Sequence, residues 1–238
     1  MRSEPGIMNG RSVLITEGQR EASQGIAAAL HALGDRVAAT YVDARPAVPD
    51  FAVECDVTSP ADVEYAVAHV EEVQGPIEVL VAGIGLANDV MLRPADERFV
   101  SVCDNHLVGS FRLIRAALDR MRDTGHGRII FLNTELTGDL PRRYGATEAA
   151  LRGFISTMIR EEARYGITCN VVTLSMPAAR ARAAGRQPVM REPGAALTTA
   201  FSPEVTAAAE TVKFLAAESA GTINGANIPV DRGFRMVS

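Results

Sequence analysis

Residues 12–42 read SVLITEGQREASQGIAAALHALGDRVAATYV, and this stretch decides the fold. Its two ends, 12–15 and 36–42, are apolar runs rich in residues that favour β-strands. Between them, apolar side chains recur at the spacing of one helix face, at Ala22, Ile26, Leu30 and Leu33. Gly34 stands where a glycine commonly ends a helix. A strand, a helix and a second strand in this order predict a unit whose two strands lie parallel.

The same alternation continues through the chain. Strands are predicted at 12–15, 36–42, 51–57, 77–82, 128–132, 167–174 and 226–230. After the third strand, Ser59, Pro60 and Asp62 have the pattern of a helix start. The buried stripe of that helix is predicted to be Val63, Ala66, Val67, Val70 and Val73. Further helices are predicted at 96–121, 144–165 and 204–218. The pattern predicts a single-domain, doubly wound, Rossmann-like α/β fold over 1–238, with about seven parallel strands and helices on both faces.

Composition excludes several classes of protein. A net charge of −5 over 238 residues provides no basic surface for nucleic acid. No apolar stretch is long enough for a membrane helix, and the first ten residues contain no secretory signal, so we expect a cytoplasmic protein. The three cysteines are far apart, which predicts buried thiols and neither a disulfide nor a metal site. Lys213 is the only lysine, so chemistry that requires a lysine depends on it.

Four motifs carry a resemblance to a known family. Thr16-Glu17-Gly18 follows the first strand, Cys55-Asp56-Val57-Thr58 follows the third, Tyr144 lies on a late helix, and Ile228-Pro229-Val230-Asp231 is near the end. In this order the chain resembles the short-chain dehydrogenase/reductases, especially their β-ketoacyl-carrier-protein reductase branch. The resemblance implies a nicotinamide-dependent reductase. It also implies a homodimer or homotetramer formed through the helices near 106–122 and 144–165.

The phosphate-binding turn departs from the family pattern. The family has Thr-Gly-x-x-x-Gly-x-Gly, whose glycines let a pyrophosphate approach the backbone, and this chain has Glu17, Glu21 and Ser23 at the three glycine positions. Two carboxylates would repel a pyrophosphate, so no cofactor is expected. The alternative reading of these acids places both in the first turn of a helix, where the dipole favours them. The remaining motif residues are then only vestiges of a cofactor site: Thr16, Gly18, Asp56 and Gly83.

The family's catalytic Asn, Ser, Tyr and Lys align here with His106, Thr134, Tyr144 and Glu148. A carboxylate one helical turn from Tyr144 keeps its phenol protonated, whereas a lysine would favour the phenolate. We expect Tyr144 and His106 to form an acid/base pair, with Glu148 tuning it and a nearby carboxylate raising the imidazole pKa. Thr134 is expected to hydrogen-bond a substrate oxygen. The alternative for His106 is a packed histidine with no chemical role.

Arginines flank the predicted site. Arg142 and Arg143 precede Tyr144, and Arg180 and Arg182 belong to an irregular stretch at about 175–202 that is a candidate lid over the crevice. Guanidinium groups bind carboxylates and phosphates, so an anionic or carrier-bound small-molecule substrate is expected. The alternative is a solvated loop in an arginine-rich chain.

These observations together predict an enzyme that has lost nicotinamide-dependent redox chemistry. The expected reactions are of the cyclase, dehydratase, isomerase or lyase type, in bacterial specialised metabolism. An NAD(P)H-dependent ketoreductase is the first alternative, because the resemblance covers nearly the whole chain. A catalytically inactive partner subunit is the second.

Overall fold

The computed structural model describes residues 10–49, 51–84, 100–101, 103–137, 145–177, 201–231 and 233. The strands are β1 (Ser12–Ile15), β2 (Arg36–Tyr41), β3 (Phe51–Glu54), β4 (Val79–Ile84), β5 (Gly127–Thr137), β6 (Ile167–Pro177) and β7 (Asn227–Val230). The α-helices of these ranges are α1 (Glu21–His31), α2 (Pro60–Gln74), α3 (Gly109–Thr124), α4 (Gly145–Glu162) and α5 (Pro203–Ala216). A π-helical turn, Cys103–Val108, leads into α3, and 3-10 turns lie at Ala163–Tyr165 and Glu218–Ala220. Within the described ranges, no helix has the length and apolar character needed to cross a membrane.

The seven strands form one parallel sheet in the order β3-β2-β1-β4-β5-β6-β7. This confirms the predicted Rossmann-like sheet. Leu14 of β1 pairs with Ala38 on one side and Leu80 on the other. The strand order reverses between β1 and β4, which opens a crevice at the carboxyl ends of these two strands, where doubly wound folds bind ligands.

Helices cover both faces of the sheet, as predicted. One apolar cluster joins the sheet to α2, α3 and α4, and the other joins it to α1 and α5. Neighbouring residues of β5 contribute to opposite clusters, Phe131 to the first and Ile130 to the second, because side chains alternate along a strand. Both side chains are almost fully buried.

The predicted start of α2 is confirmed, whereas the buried apolar faces of α1 and α2 are each shorter than predicted. Ser59 Oγ accepts a hydrogen bond from the Asp62 backbone N–H at 3.3 Å, which caps the helix. Val73 is 49% exposed and its place in the stripe is taken by Gln74, which lies four residues after Val70. Leu33 is 55% exposed because α1 ends at His31, before the next turn of the stripe.

Strands β5 and β6 extend beyond the predicted ends at 132 and 174. Their pairing continues from Thr134 and Leu174 to Thr137 and Pro177, since each backbone satisfies the other's hydrogen-bonding groups. The first residues of the predicted lid at 175–202 are therefore strand. Residues 201 and 202 lead into α5, and the rest of the predicted lid lies outside the described residues.

Candidate active site

Thr16 closes the seam between β1 and β4 at the floor of the crevice. Its backbone N–H donates to Val81 O at 3.0 Å, and its Oγ1 accepts from the Gly83 backbone N–H at 2.7 Å. Ser23 Oγ donates to Thr16 O at 2.9 Å, which fastens the first turn of α1 to the end of β1. Both side chains are buried. The turn between β1 and α1 is thus fixed on two sides.

Gly18 and Asp56, two of the predicted vestigial residues, have clear structural roles at the same edge of the sheet. The Gly18 N–H donates to Thr40 O at 2.7 Å, and a Cβ added to Gly18 would lie 2.7 Å from Ala39 Cβ. A glycine is therefore needed there for packing against β2. Asp56 Oδ1 accepts from the Thr58 N–H at 2.8 Å and from Thr58 Oγ1 at 2.7 Å, which forms the turn before α2.

Glu17 lies across the floor of the crevice. Its φ of +54° is in the left-handed region, where glycine is favoured. Its Oε1 lies 3.0 Å from Arg20 Nε, and its Oε2 lies 3.0 Å from the point where a Cβ on Gly83 would stand. Glu17 precedes α1, so the alternative that placed both acids in the first helical turn is wrong for this residue.

Glu21 differs from Glu17 because it is the first residue of α1 and bonds elsewhere. Its Oε1 accepts a hydrogen bond from the Ser202 backbone N–H at 3.0 Å. Ser202 is the N-cap of α5, so this contact joins the beginnings of two helices that pack against each other. The two acids at family glycine positions therefore have separate partners.

His106 is buried in the π-helical turn, 8% exposed, and its backbone carbonyl accepts from Ser110 Oγ at 2.6 Å. Burial, and to a smaller extent the positive charge of Arg20, lowers the pKa of His106 to about 4. The predicted rise in the imidazole pKa is wrong. Asp104, the carboxylate close in sequence, lies 3.0 Å from Arg112 Nη1. At neutral pH the imidazole is uncharged, so it can form hydrogen bonds but is a weak base.

Arg20 is a site residue that the sequence analysis did not identify. It pairs with Glu17 and its charge acts on His106, so it connects the turn after β1 to the π-helical turn. The only signal in the sequence was an acid three residues before it, a spacing at which charged side chains can meet.

Several predicted site residues cannot be placed against these groups. Thr134 lies in β5, paired with Leu174, and Glu148 lies in the first turn of α4, but the structure describes the backbone alone at these two positions. The remaining predicted residues lie outside the described ranges: Tyr144, Arg142, Arg143, Arg180 and Arg182. The pairing of Tyr144 with His106 therefore stays a prediction.

Known proteins match this chain over almost its whole length. The model of the enoyl-(acyl carrier protein) reductase family matches residues 19–235. The 3-oxoacyl-[acyl-carrier-protein] reductase MabA of Mycobacterium avium is 38% identical over 234 residues, covering 95% of this chain and 90% of the relative. The FabG protein of Escherichia coli, which has the same activity in its name, is 29% identical and covers 96% of this chain and 98% of its own length. A structure described as a 3-oxoacyl-reductase from Bacillus thuringiensis superposes with a TM-score of 0.72 at 22% identity, covering 96% of this chain and all of the other.

These relatives overturn the predicted chemistry. They are named as reductases, so the prediction of a cofactor-independent cyclase, dehydratase, isomerase or lyase is wrong. The expectation of no cofactor is wrong for the same reason, because a nicotinamide cofactor is implied by membership of this reductase family. The error came from giving a few substituted residues more weight than the identity of the whole chain. The chain belongs to the short-chain dehydrogenase/reductase superfamily, and it resembles the β-ketoacyl-carrier-protein reductases of that superfamily.

Proposed function

We propose that this protein is an NAD(P)H-dependent reductase of 3-oxoacyl groups bound to a carrier as thioesters. The observation that carries the proposal is the 38% identity to a 3-oxoacyl-[acyl-carrier-protein] reductase over 95% of the chain. The crevice between β1 and β4 supports it, because it lies where doubly wound folds bind dinucleotides.

The described residues fit a dinucleotide at several points. The first turn of α1 lies beside the end of β1, and a helix N-terminus favours a phosphate group. Arg20 would supply a positive charge beside the pyrophosphate. Asp56 matches the adenine-contacting residue of the family and follows β3, at the same edge of the sheet. Glu17 is the one described acid that opposes the pyrophosphate.

Reduction of a ketone needs a hydride at carbon and a proton at oxygen. When bound, the reduced nicotinamide supplies the hydride. Tyr144 is proposed to donate its hydroxyl proton to the carbonyl oxygen as that oxygen becomes an alcohol, and water restores the proton afterwards. Glu148, four residues later in the sequence, would keep the phenol protonated and therefore able to donate.

Two further residues are proposed to orient the substrate. Thr134 would hydrogen-bond the carbonyl oxygen through its hydroxyl group. His106, whose pKa is about 4, would act as a neutral hydrogen-bonding group beside the site and not as the general base that was expected from the sequence.

The arginines at 142, 143, 180 and 182 are proposed to bind the anionic groups of the carrier-bound substrate. Four guanidinium groups would attract an acidic partner over a distance that shortens as salt is added. Reversing two of these charges should raise KM for the carrier-bound substrate and weaken its salt dependence. The KM for a small, uncharged ketone is the matched comparison and should change little.

A homodimer or homotetramer formed through α3 and α4 is also proposed. Phe111 of α3 is 43% exposed and makes an edge contact with Phe154 of α4, with ring centroids 5.6 Å apart. An exposed aromatic side chain next to a partly buried one favours burial against another subunit. Light scattering at micromolar concentration should give a mass of two or four chains, and a monomer would contradict the proposal.

The reductase activity is tested by two measurements on the purified protein. Calorimetric titration with NADPH and with NADH should show binding of at least one of them. Cofactor oxidation in the presence of acetoacetyl-coenzyme A should then yield one 3-hydroxyacyl product for each cofactor consumed. Tyr144→Phe should lower kcat by about 10²–10⁴-fold with the dissociation constant for the cofactor almost unchanged. If neither cofactor binds and neither is oxidised, the proposal is refuted.

A further inference from the structure

We propose that the carboxylate of Glu17, held by Arg20, occupies the place of the cofactor's pyrophosphate and weakens dinucleotide binding. This inference rests on the proposed function, because it concerns the affinity of the same crevice for NAD(P)H. It assigns to Glu17 the role of an affinity-determining residue that competes with the cofactor.

The position of the carboxylate is defined by contacts of both oxygens. Oε1 lies 3.0 Å from Arg20 Nε, and Oε2 lies 3.0 Å from where a Cβ on Gly83 would stand. The Glu17 side chain therefore reaches from the end of β1 to the end of β4, across the point where the strand order reverses. A dinucleotide bound at that point must cross the same space.

Electrostatic repulsion opposes the presence of the Glu17 carboxylate and a pyrophosphate together between the ends of β1 and β4. A pyrophosphate carries negative charge, and the side chains of Glu17 and Arg20 are only 25% and 32% exposed, so water screens the repulsion incompletely. The single positive charge of Arg20 does not neutralise both the carboxylate and a pyrophosphate. Cofactor binding is therefore favoured when the Glu17 carboxylate turns away from the crevice.

The backbone of Glu17 supports the same conclusion. Its φ of +54° is readily adopted by glycine and is costly for a residue with a side chain. Glu17→Gly would remove the negative charge and also suit the backbone as it stands. The substitution should therefore fold well.

Glu21 offers an internal comparison because it also stands at a family glycine position. Its Oε1 accepts from the Ser202 N–H at the start of α5, so its carboxylate is engaged away from the seam between β1 and β4. Removing the charge of Glu21 should change the binding of the cofactor's pyrophosphate much less than removing the charge of Glu17. The inference thus predicts a difference between two acids only four residues apart.

The test is the dissociation constant for NADPH, measured by calorimetry on the full chain. Glu17→Gln and Glu17→Gly should each tighten binding by about tenfold or more, since a nearby like charge is removed. Glu21→Gln should change it by less than about threefold. Glu72→Gln removes the same charge from an exposed position on α2, where the side chain is 81% exposed, and controls for net charge.

The outcomes separate this inference from the proposed function. If the wild type binds NADPH and both Glu17 variants bind it no more tightly than Glu72→Gln, the inference is overturned. If neither the wild type nor any variant binds, the proposed function fails and the inference with it. If only the Glu17 variants bind, the inference stands and the proposed reductase activity of the natural chain does not. Should Glu17→Gln fold poorly by circular dichroism, Glu17→Gly decides the result.

Discussion

Acidification should destabilise this protein through a single buried histidine. His106 is 8% exposed and its pKa is lowered to about 4 by burial and by the charge of Arg20. In the unfolded chain the imidazole returns to the ordinary value of 6.5. Between these two values the unfolded state binds more protons than the folded state, so stability rises with pH and is lost as pH falls through this window.

The size of the effect follows from the difference between the two pKa values. One pKa unit corresponds to about 1.4 kcal/mol, so His106 should cost about 2 kcal/mol of unfolding free energy at about pH 5. The cost should reach about 3 kcal/mol at about pH 4. That is a large part of the 5–15 kcal/mol typical of a folded domain.

Urea denaturation of the wild type and of His106→Asn between about pH 7 and pH 4.5 measures this cost. Carboxylates and the other histidines titrate in both proteins, so the difference between the two pH profiles isolates His106. The difference in unfolding free energy between the two proteins should change by about 2 kcal/mol between pH 7 and pH 5, because the wild type loses more stability than the variant. Parallel profiles would refute the reasoning.

The contribution of Arg20 can be measured separately by NMR titration of the histidine ring protons. Arg20→Gln should raise the pKa of His106, since it removes the second cause of the shift. Arg115→Gln removes an exposed positive charge from α3 and should leave the pKa of His106 unchanged. An equal response to the two substitutions would show that the charge of Arg20 does not act on His106.

Three further predictions concern stability and reactivity. Arg122→Ala should lower the unfolding free energy, measured by urea denaturation, by about 2–3 kcal/mol, because Glu162, which is 2% exposed, loses both guanidinium hydrogen bonds. The control Arg120→Ala should cost less than about 0.5 kcal/mol, because its partner Glu71 is 3.9 Å away. Gly25→Ala should cost about 1–3 kcal/mol in the same assay, because the added Cβ would overlap Val205 Cγ1 where α1 packs on α5, and an unchanged midpoint would contradict that packing. Burial raises the pKa of Cys55 and of Cys169 to about 12, so a thiol reagent near pH 8 should leave both unmodified in the folded protein and modify all three cysteines after unfolding, as counted by mass spectrometry.

Sequence reasoning recovered the fold because the fold depends on patterns repeated along the chain. The number of strands and the start of α2 at Ser59 each rest on local spacing, and both are confirmed. Leu33 and Val73 were misplaced because an apolar residue at the end of a helix can face either the core or water. The ends of β5 and β6 depend on pairing between segments far apart in the sequence.

The candidate site was harder to predict because its properties come from contacts between distant segments. The pKa of His106 depends first on burial and then on Arg20, which is 86 residues away in the chain, while Asp104 nearby is held by Arg112. The left-handed backbone of Glu17 is not indicated by the residue itself, and only the glycine of the family pattern at that position points to it. The non-redox chemistry inferred from the substituted glycine and catalytic positions was wrong, because the whole-chain relationship to reductases was the stronger evidence.

The contact of Glu21 with Ser202 has a consequence for how readily the chain tolerates exchange of the segment before Ser202. One end of the segment 178–200 follows Pro177, which is paired with Thr137 in the sheet, and the other end leads to Ser202, which is bound to α1. Both attachment points are therefore set by the scaffold and not by the segment itself. Connections with fixed ends tolerate exchange of the residues between them. Exchanging this segment for that of a related reductase should therefore leave the free energy of unfolding almost unchanged, which urea denaturation would measure.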